Sequence, residues 1–341
     1  MKFSKPKFSL VCPLCKDSLI LIINSYAKGQ DKCHCISCNS NFPMYYGIID
    51  FMDTNMSGSR KLGSGLGELI NEYSRVDFEK LMHLYFESYK QPQDLQEIQQ
   101  NYIRMGKKRG KVRFQKIQNL LEALGKSSKR GLLALDLGCG LGSGLFPLSE
   151  TFEHAIGIDI VLPYLILAKK RLDEESIHNV TLIRSSAENL PFEDNTFDFI
   201  NATDVIEHIP DQRKFISEAY RVLRPGGYFC FNSPNRFSIF TREPHVNLWG
   251  LGFLPRSLMP VYVKTRKGVG YKGKRLLSYL ELARILRTVC RSYQIFGLVK
   301  MDTSSGNRVK NIVQKSTFLI WILNSYFKFL LPQYEVVVMK E

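Results

Sequence analysis

No part of the sequence strings together the roughly twenty apolar residues that a membrane-spanning helix needs. The most apolar late stretch, STFLIWILNSYF at 316–327, lies between Lys315 and Lys328 and is interrupted by Asn324 and Ser325. It is expected to belong to an apolar core or interface helix over about 312–332. The start, MKFSKPKFSLVCPLC, holds no apolar run ahead of its cysteines, so no secretory leader is expected. A cytoplasmic protein follows as the expectation, with peripheral membrane contact as the remaining membrane role. Acid is scarce in two places. RMGKKRGKVRFQK at 104–116 contains none, and between Arg256 and Lys315 the only acids are Glu281 and Asp302. Each cluster reads either as a solvated face or as a surface for RNA or an anionic membrane. A Walker-type Lys-Ser/Thr ending is also missing, which excludes a P-loop.

What is present is a chain of 341 residues, 44% hydrophobic, with a formal charge of +15. That is enough apolar content for a sizeable core and rules out wholesale disorder. Five of its eight cysteines fall within the first 38 residues. Cys12/Cys15 and Cys35/Cys38 form two Cys-x-x-Cys pairs separated by nineteen residues, a spacing that suits a zinc ribbon closed by four thiolates. Cys33 and His34 are spare donors. A metal staple stands in for the core that so short a segment cannot build. Four ligands leave no open position, so no chemistry is expected there. The stretch 10–52, with its FPMYYGII ending, resembles the small zinc-ribbon activator subunit of tRNA, rRNA and protein methyltransferases. The expected organisation is a ribbon over 1–55, a linker and helical segment over 56–125, and a main domain over 126–341. The linker reading rests on the Gly/Ser-rich residues 53–67.

Strand-like runs at 132–136, 155–159, 180–185, 197–203, 228–233, 293–299 and 334–340 alternate with helix-like runs at 163–175, 211–223 and 278–290. This predicts an α/β fold, a doubly wound, seven-stranded, mostly parallel sheet, with the small N-terminal ribbon attached. The first strand runs into LLALDLGCGLGSG. Glycine there lets the chain turn and removes Cβ atoms that would meet a ligand at the carboxyl ends of the strands. Asp159, seventeen residues after Gly142, ends the next strand where an acid can accept ribose hydroxyls. The spacing Gly138-x-Gly140-x-Gly142 differs from the dinucleotide fingerprint and suits a smaller zwitterion.

Asp136 with that loop, SSAENLPFEDNTFDFI at 185–200, RVLRPGGYFCFNSPN at 221–235 and the final YEVVVMK together resemble class I S-adenosylmethionine-dependent methyltransferases. The resemblance implies S-adenosylmethionine as cofactor. Gly138, Gly140 and Gly142 would face its methionine and sugar, Asp136 would order the loop or the methionyl amine, and Asp159 would take the ribose. Ala187 and Glu188 would lie by the adenine, with Ser186 where the family often has an acid. TDVIEHIPD at 203–211 resembles the acceptor-side stretch of O-methyltransferases acting on phenolic or RNA ribose hydroxyls. Asp204, Glu207 and His208 are spaced to share one helical face. His208 as general base, the trio as a divalent-metal site, and a purely structural loop all remain open. Residues 236–275, holding His245, Trp249, Tyr262 and Tyr271, read as a lid over the acceptor. The expected function is O-methylation of a small-molecule or lipid-like acceptor. The alternatives are an RNA methyltransferase and a non-catalytic binding protein on the same fold.

Overall fold

The computed structural model describes residues 8–22, 31–52, 66–88, 93–125, 132–298 and 328–341. The chain forms two compact units, Met1–Asn201 with Arg221–Arg224, and Ala202–Tyr220 with Pro225–Glu341.

The first unit opens with β1 (Leu19–Ile22), β2 (Lys32–Cys35), β3 (Asn41–Tyr45) and β4 (Ile48–Asp50), paired in succession as an antiparallel meander. Tyr46 and Gly47 close the last hairpin, both with positive φ, as the tight turn between right-twisted strands requires. Helices α1 (Leu66–Glu72), α2 (Phe78–Glu87), α3 (Gln93–Arg104) and α4 (Gly106–Ala123) follow. Asp77 caps α2 by accepting from the Lys80 N–H at 2.8 Å. Then come β5 (Leu133–Leu137), α5 (Leu145–Thr151), β6 (His154–Asp159), α6 (Leu162–Glu174), β7 (Val180–Arg184) and β8 (Phe197–Ala202). The strand order is β1-β2-β3-β4-β7-β6-β5-β8.

One expectation is corrected by that order. Eight strands pair within this unit alone, so the sheet exceeds the seven strands expected. The N-terminal meander joins the same sheet: β4 lies parallel to β7, with Ile49 opposite Ile183 and Asp50 opposite Arg184. The Arg184 guanidinium meets the buried Asp50 carboxylate at 2.8 Å, and Phe51 N–H bonds to the Arg184 carbonyl. The linker expectation is trimmed as well: residues 53–65 lie outside the described residues, and Leu66 and Gly67 already belong to α1.

All five residues of β5 are buried, as its unbroken apolar reading requires. What α4 does was hidden inside the basic run. Gly106 and Gly110, one helical turn apart, face the residue that closes the glycine loop. A Cβ at 110 would lie 1.8 Å from the Ser143 carbonyl oxygen, and one at 106 would lie 2.6 Å from the Ser143 hydroxyl. The helix backbone therefore rests directly on the loop.

The second unit contains a 3-10 turn (Ile206–His208), α7 (Gln212–Val222), β9 (Leu223–Pro234), a 3-10 turn (Leu251–Phe253), α8 (Met259–Lys267), α9 (Tyr279–Val289), β10 (Ser292–Leu298) and β11 (Gln333–Met339). β11 runs antiparallel to both β9 and β10. Ser278 and Glu281 form a reciprocal capping box at the start of α9. The insertion has its own small core of Val246, Leu251, Met259, Val263 and Tyr271. Of the helix expected at about 312–332, residues 312–327 lie outside the described residues, and Lys328–Leu330 is a short 3-10 turn. Among the described residues no helix is long and apolar enough to cross a membrane.

Replacing Gly110 by Ala forces its new methyl into backbone that cannot yield. Gly110→Ala is expected to cost about 2–3 kcal/mol, read by urea denaturation. Gly125→Ala serves as contrast: its Cβ would meet nothing, although its positive φ carries a smaller strain of its own. Equal losses in the two variants would overturn the packing role of Gly110.

Candidate functional site

In the first unit the chain leaves β5 through Gly138, Gly140 and Gly142, all with positive φ (67°, 51° and 79°). Side chains rarely adopt this conformation, so the loop geometry itself requires glycine. A Cβ at Gly140 would meet nothing within 4 Å, whereas one at Gly142 would touch Ala168 at 3.3 Å. Gly140 is therefore the open side of the loop. Asp159, at the end of β6, holds the loop in place: one carboxylate oxygen accepts the Gly140 N–H at 2.9 Å and the other accepts the Val161 N–H at 2.8 Å. A carboxylate offers about four lone-pair positions, so capacity remains for two hydroxyl donors.

Asp136 is 3% exposed and accepts from the Asn201 amide at 2.6 Å. Its carboxylate presses against Gly144, where a Cβ would lie 2.5 Å from Oδ2. Burial pushes Asp136 up to about 7, against the Asn201 hydrogen bond and helped by the charge of Asp159. Asp159 is raised too, by burial, against the backbone hydrogen bonds it accepts. Cys139 is a buried filler whose thiol burial holds well above its ordinary value. Asn201 carried no signal in the sequence beyond its place near the end of a predicted strand.

Ser186, Ala187 and Glu188 sit on the loop after β7. The Ser186 hydroxyl accepts the Glu188 N–H at 3.2 Å, and Ala187 is buried. The next residue, Asn189, reaches the N-terminal meander. Its amide donates to the Pro13 carbonyl at 3.0 Å and its oxygen accepts from Lys16 at 2.6 Å. Val11 N–H bonds to the Pro191 carbonyl at 3.0 Å. The Cys12-Pro-Leu-Cys15 knuckle is thus bonded to this loop.

Cys12, Cys15, Cys35 and Cys38 converge, with all four sulfurs within 4.8 Å of one another. Cys12 and Cys38 are 3.6 Å apart, Cys15 and Cys35 3.4 Å. A tetrahedral ion with bonds of ~2.3 Å to sulfur has edges of ~3.8 Å, so the thiols fit such an ion with little movement. All eight cysteines are free thiols. Cys33 is fully buried and sits apart from this group.

The second unit contains a cavity of about 410 Å³. Asp204, Glu207, His208 and His245 all line it. The three sequence candidates do not share a helical face as expected. The helical turn covers only Ile206–His208, and Asp204 precedes it with φ +56°. Buried Asn232 fixes Asp204 there, accepting its N–H at 2.7 Å and donating to its carboxylate. The donor atoms that do converge belong to Glu207, His208 and His245, so His245 takes the place that the sequence reading gave to Asp204. Glu207 is 3% exposed, and burial pushes it up to about 7. Partial desolvation, and then the neighbouring His245 ring, hold His208 below its ordinary value. Burial works to raise Glu243, but the hydrogen bond from His245 outweighs it and holds the carboxylate below its usual range. Gln212 ties this turn to the insertion, donating to the carbonyls of Ile206 and Arg275 at 2.8 Å each.

The basic run 104–116 is largely partnered at home. Arg104 pairs with Glu79 at 2.8 Å and Lys111 with Glu150 at 2.7 Å, Lys107 meets Glu175, and Arg109 stacks on Tyr102. Such exposed pairs contribute about 0–1 kcal/mol each, and they draw charge away from an anionic partner. In the second cluster, Arg256 pairs with Glu281 at 2.6 Å, and residues 299–315 lie outside the described residues.

Residues 135–231, from within β5 to within β9, match the family model of a methyltransferase domain. Over 141 residues the chain is 31% identical to a demethylmenaquinone methyltransferase of Listeria welshimeri, covering 40% of this chain and 57% of that protein. Over 100 residues it is 40% identical to phosphoethanolamine N-methyltransferase 2 of Caenorhabditis elegans, covering 29% of this chain and 23% of that protein. The chain thus spans just over half of the first relative and under a quarter of the second. Among solved structures, a phosphoethanolamine N-methyltransferase 2 of Haemonchus contortus in complex with S-adenosyl-L-methionine aligns at TM-score 0.45 and 19% identity, covering 66% of this chain and 52% of that one. The match brackets the glycine loop, Asp159, the Ser186–Glu188 loop and Asp204–His208. His245 and Glu243 fall outside it, in the insertion.

A buried carboxyl with a raised folded-state pKa binds more protons folded than unfolded, so stability falls as pH rises from its unfolded value of about 4 towards 7. The ligand-free protein is therefore expected to melt at lower temperature as pH rises from about 5 to about 7.5. Asp136→Asn, which keeps the shape and removes the charge, is expected to flatten that decline. Parallel melting curves for the two proteins across this range would overturn the assignment.

Proposed function

We propose that the chain is an S-adenosylmethionine-dependent methyltransferase that methylates an oxygen of a small-molecule or lipid-like acceptor. The observation that carries this reading is the methyltransferase-domain match lying over a loop of three left-handed glycines bonded to Asp159. The glycines remove side chains from the cofactor's path, and Asp159 orders the loop while keeping lone pairs for the ribose hydroxyls. Ser186, Ala187 and Glu188 are assigned to the adenine. Bound there, the sulfonium supplies an activated methyl group and leaves as a thioether. The chain must then orient the acceptor and ease the loss of its proton, and we assign that task to Glu207 and His208 on the cavity wall.

A cavity of about 410 Å³ falls in the range of small-molecule sites. Both curated relatives carry the names of small-molecule methyltransferases. The RNA alternative draws on the basic run 104–116, much of whose charge is already paired. The four N-terminal thiols are assigned a structural zinc, which would fix the Pro13 and Lys16 contacts to Asn189 beside the adenine loop.

Calorimetry tests the cofactor. Asp159→Ala removes a charge-assisted acceptor worth about 1.5–3 kcal/mol per bond and is expected to weaken S-adenosylmethionine binding by about 100-fold. Wild-type protein that binds no S-adenosylmethionine would sink the enzyme reading and leave a scaffold. Incubation with cofactor labelled on the methyl group and fractionated extract tests the acceptor. Label should enter small organic-soluble material, and label in RNA would overturn the assignment.

Stripping the ribbon's ion with a chelator is expected to lower the melting temperature and to weaken S-adenosylmethionine binding, with zinc restoring both. A Cys35→Ser variant that keeps full metal content would remove Cys35 from the ligand set.

A further inference from the structure

Glu207, His208 and His245 present their donor atoms to one another on the cavity wall, all within 4.8 Å. The two histidines come from places 37 residues apart, and three features of their arrangement point to a ligand. First, the Nε2 atoms face each other at 3.4 Å, with the rings nearly perpendicular at 89°. That separation is long for an N–H···N hydrogen bond. It equals the ~3.4 Å edge of a tetrahedron whose metal–nitrogen bonds are ~2.1 Å. Second, the tautomer of His245 is fixed. Its Nδ1 lies 2.6 Å from Glu243 Oε1, and the same carboxylate accepts the N–H groups of His245 and Val246 at 2.8 Å each and the Tyr271 hydroxyl at 3.1 Å. A carboxylate so placed is an acceptor, so Nδ1 carries the proton and Nε2 turns a lone pair toward His208. Third, Glu207 is 3% exposed, and its Oε2 has no hydrogen-bond partner. A buried carboxylate oxygen left bare is costly unless a cation or donor meets it.

We propose that Glu207, His208 and His245 bind a divalent transition-metal ion of the zinc class, with Glu243 orienting His245 and the fourth position open to the cavity. Two imidazoles and one carboxylate with a free position are the donor set of a catalytic rather than a structural zinc site. Asp204 is not counted as a ligand, because its carboxylate is not among the converging donor atoms. Metal binding stands on this geometry alone, while the role given to the ion rests on the methyltransferase reading. In that role the ion would supply Lewis acidity to an acceptor hydroxyl in this cavity, easing release of its proton to water. His208 then acts as a ligand, not as the base itself.

The probe is Co²⁺ added to full-length protein whose ribbon is already loaded with zinc. One equivalent is expected to bind with weak visible bands and no sulfur-to-metal charge transfer, which separates it from the four thiols. His245→Ala and Glu207→Gln are each expected to abolish that equivalent while S-adenosylmethionine binding, read by calorimetry, certifies the fold. Glu243→Gln is expected to weaken it by about 10–100-fold. Asp159→Ala, which disables the cofactor loop, is expected to leave it unchanged. Failure of wild-type protein to take up this equivalent, or its persistence in His245→Ala, would overturn the site. Uptake without any methylation would instead sink the activity and leave the metal site standing.

Discussion

Asp136 is buried at the end of β5 with its carboxylate held by Asn201 of β8 and pressed against Gly144. The glycine-loop end of the first unit follows from that placement. An acid in such surroundings tolerates neither a side chain at 144 nor a loop that swings away, so the chain must turn back at once. It does so through three residues in left-handed conformation, which only glycine adopts readily. The Asp159 carboxylate fastens the far side by taking the Gly140 N–H, and α4 seals the end by laying Gly106 and Gly110 on Ser143. Asp136, Asp159, three left-handed glycines and a helix that approaches on two glycines form one mechanical unit. It is open at Gly140.

The N-terminal meander is part of that unit. Its last strand pairs with β7, the Asp50–Arg184 ion pair locks the register, and the Cys12–Cys15 knuckle grips Asn189. A small antiparallel segment alone is marginal. Here it borrows an edge from a larger sheet and closes that edge in return. The benefit is mutual, because the loop carrying Ser186 to Glu188 is anchored from outside by Pro13, Lys16 and Val11.

Much of this was legible in the sequence. The seven strand-like runs from 132 onward fall within a residue or two of β5–β8, β10 and β11, and β9 starts five residues early, because apolar runs bounded by Gly, Asp and Pro carry strong signals. The cysteine spacing indicated the thiol cluster because two tight knuckles are local events. What stayed hidden depends on long-range contact. β4 carries no mark that it will join β7, Asn201 looks like any strand residue, and Gly106 and Gly110 were masked by the lysines and arginines around them. The charge run invited a reading about partners, while its two glycines four apart recorded a helix that must approach backbone closely. Asp204 misled because spacing of three and four suggests a helical face only if a helix forms, and Asn232 holds that residue outside it.

The two donor clusters follow opposite rules, and this contrast explains where chemistry belongs. Four thiols complete a tetrahedron from protein alone, so an ion there has no position left to offer and can only hold chain segments together. Glu207, His208 and His245 supply three donors on the wall of a cavity, one of them a carboxylate that burial raises to about 7 when it has no cation beside it. A buried acid of that kind is a liability for stability. It persists here beside two imidazoles, one of which, His245, has its tautomer and direction set by Glu243, a residue from an insertion outside the matched domain. The insertion therefore does more than cover the cavity: without Glu243 and His245, Glu207 and His208 would be two adjacent side chains on a single turn, unable to enclose anything.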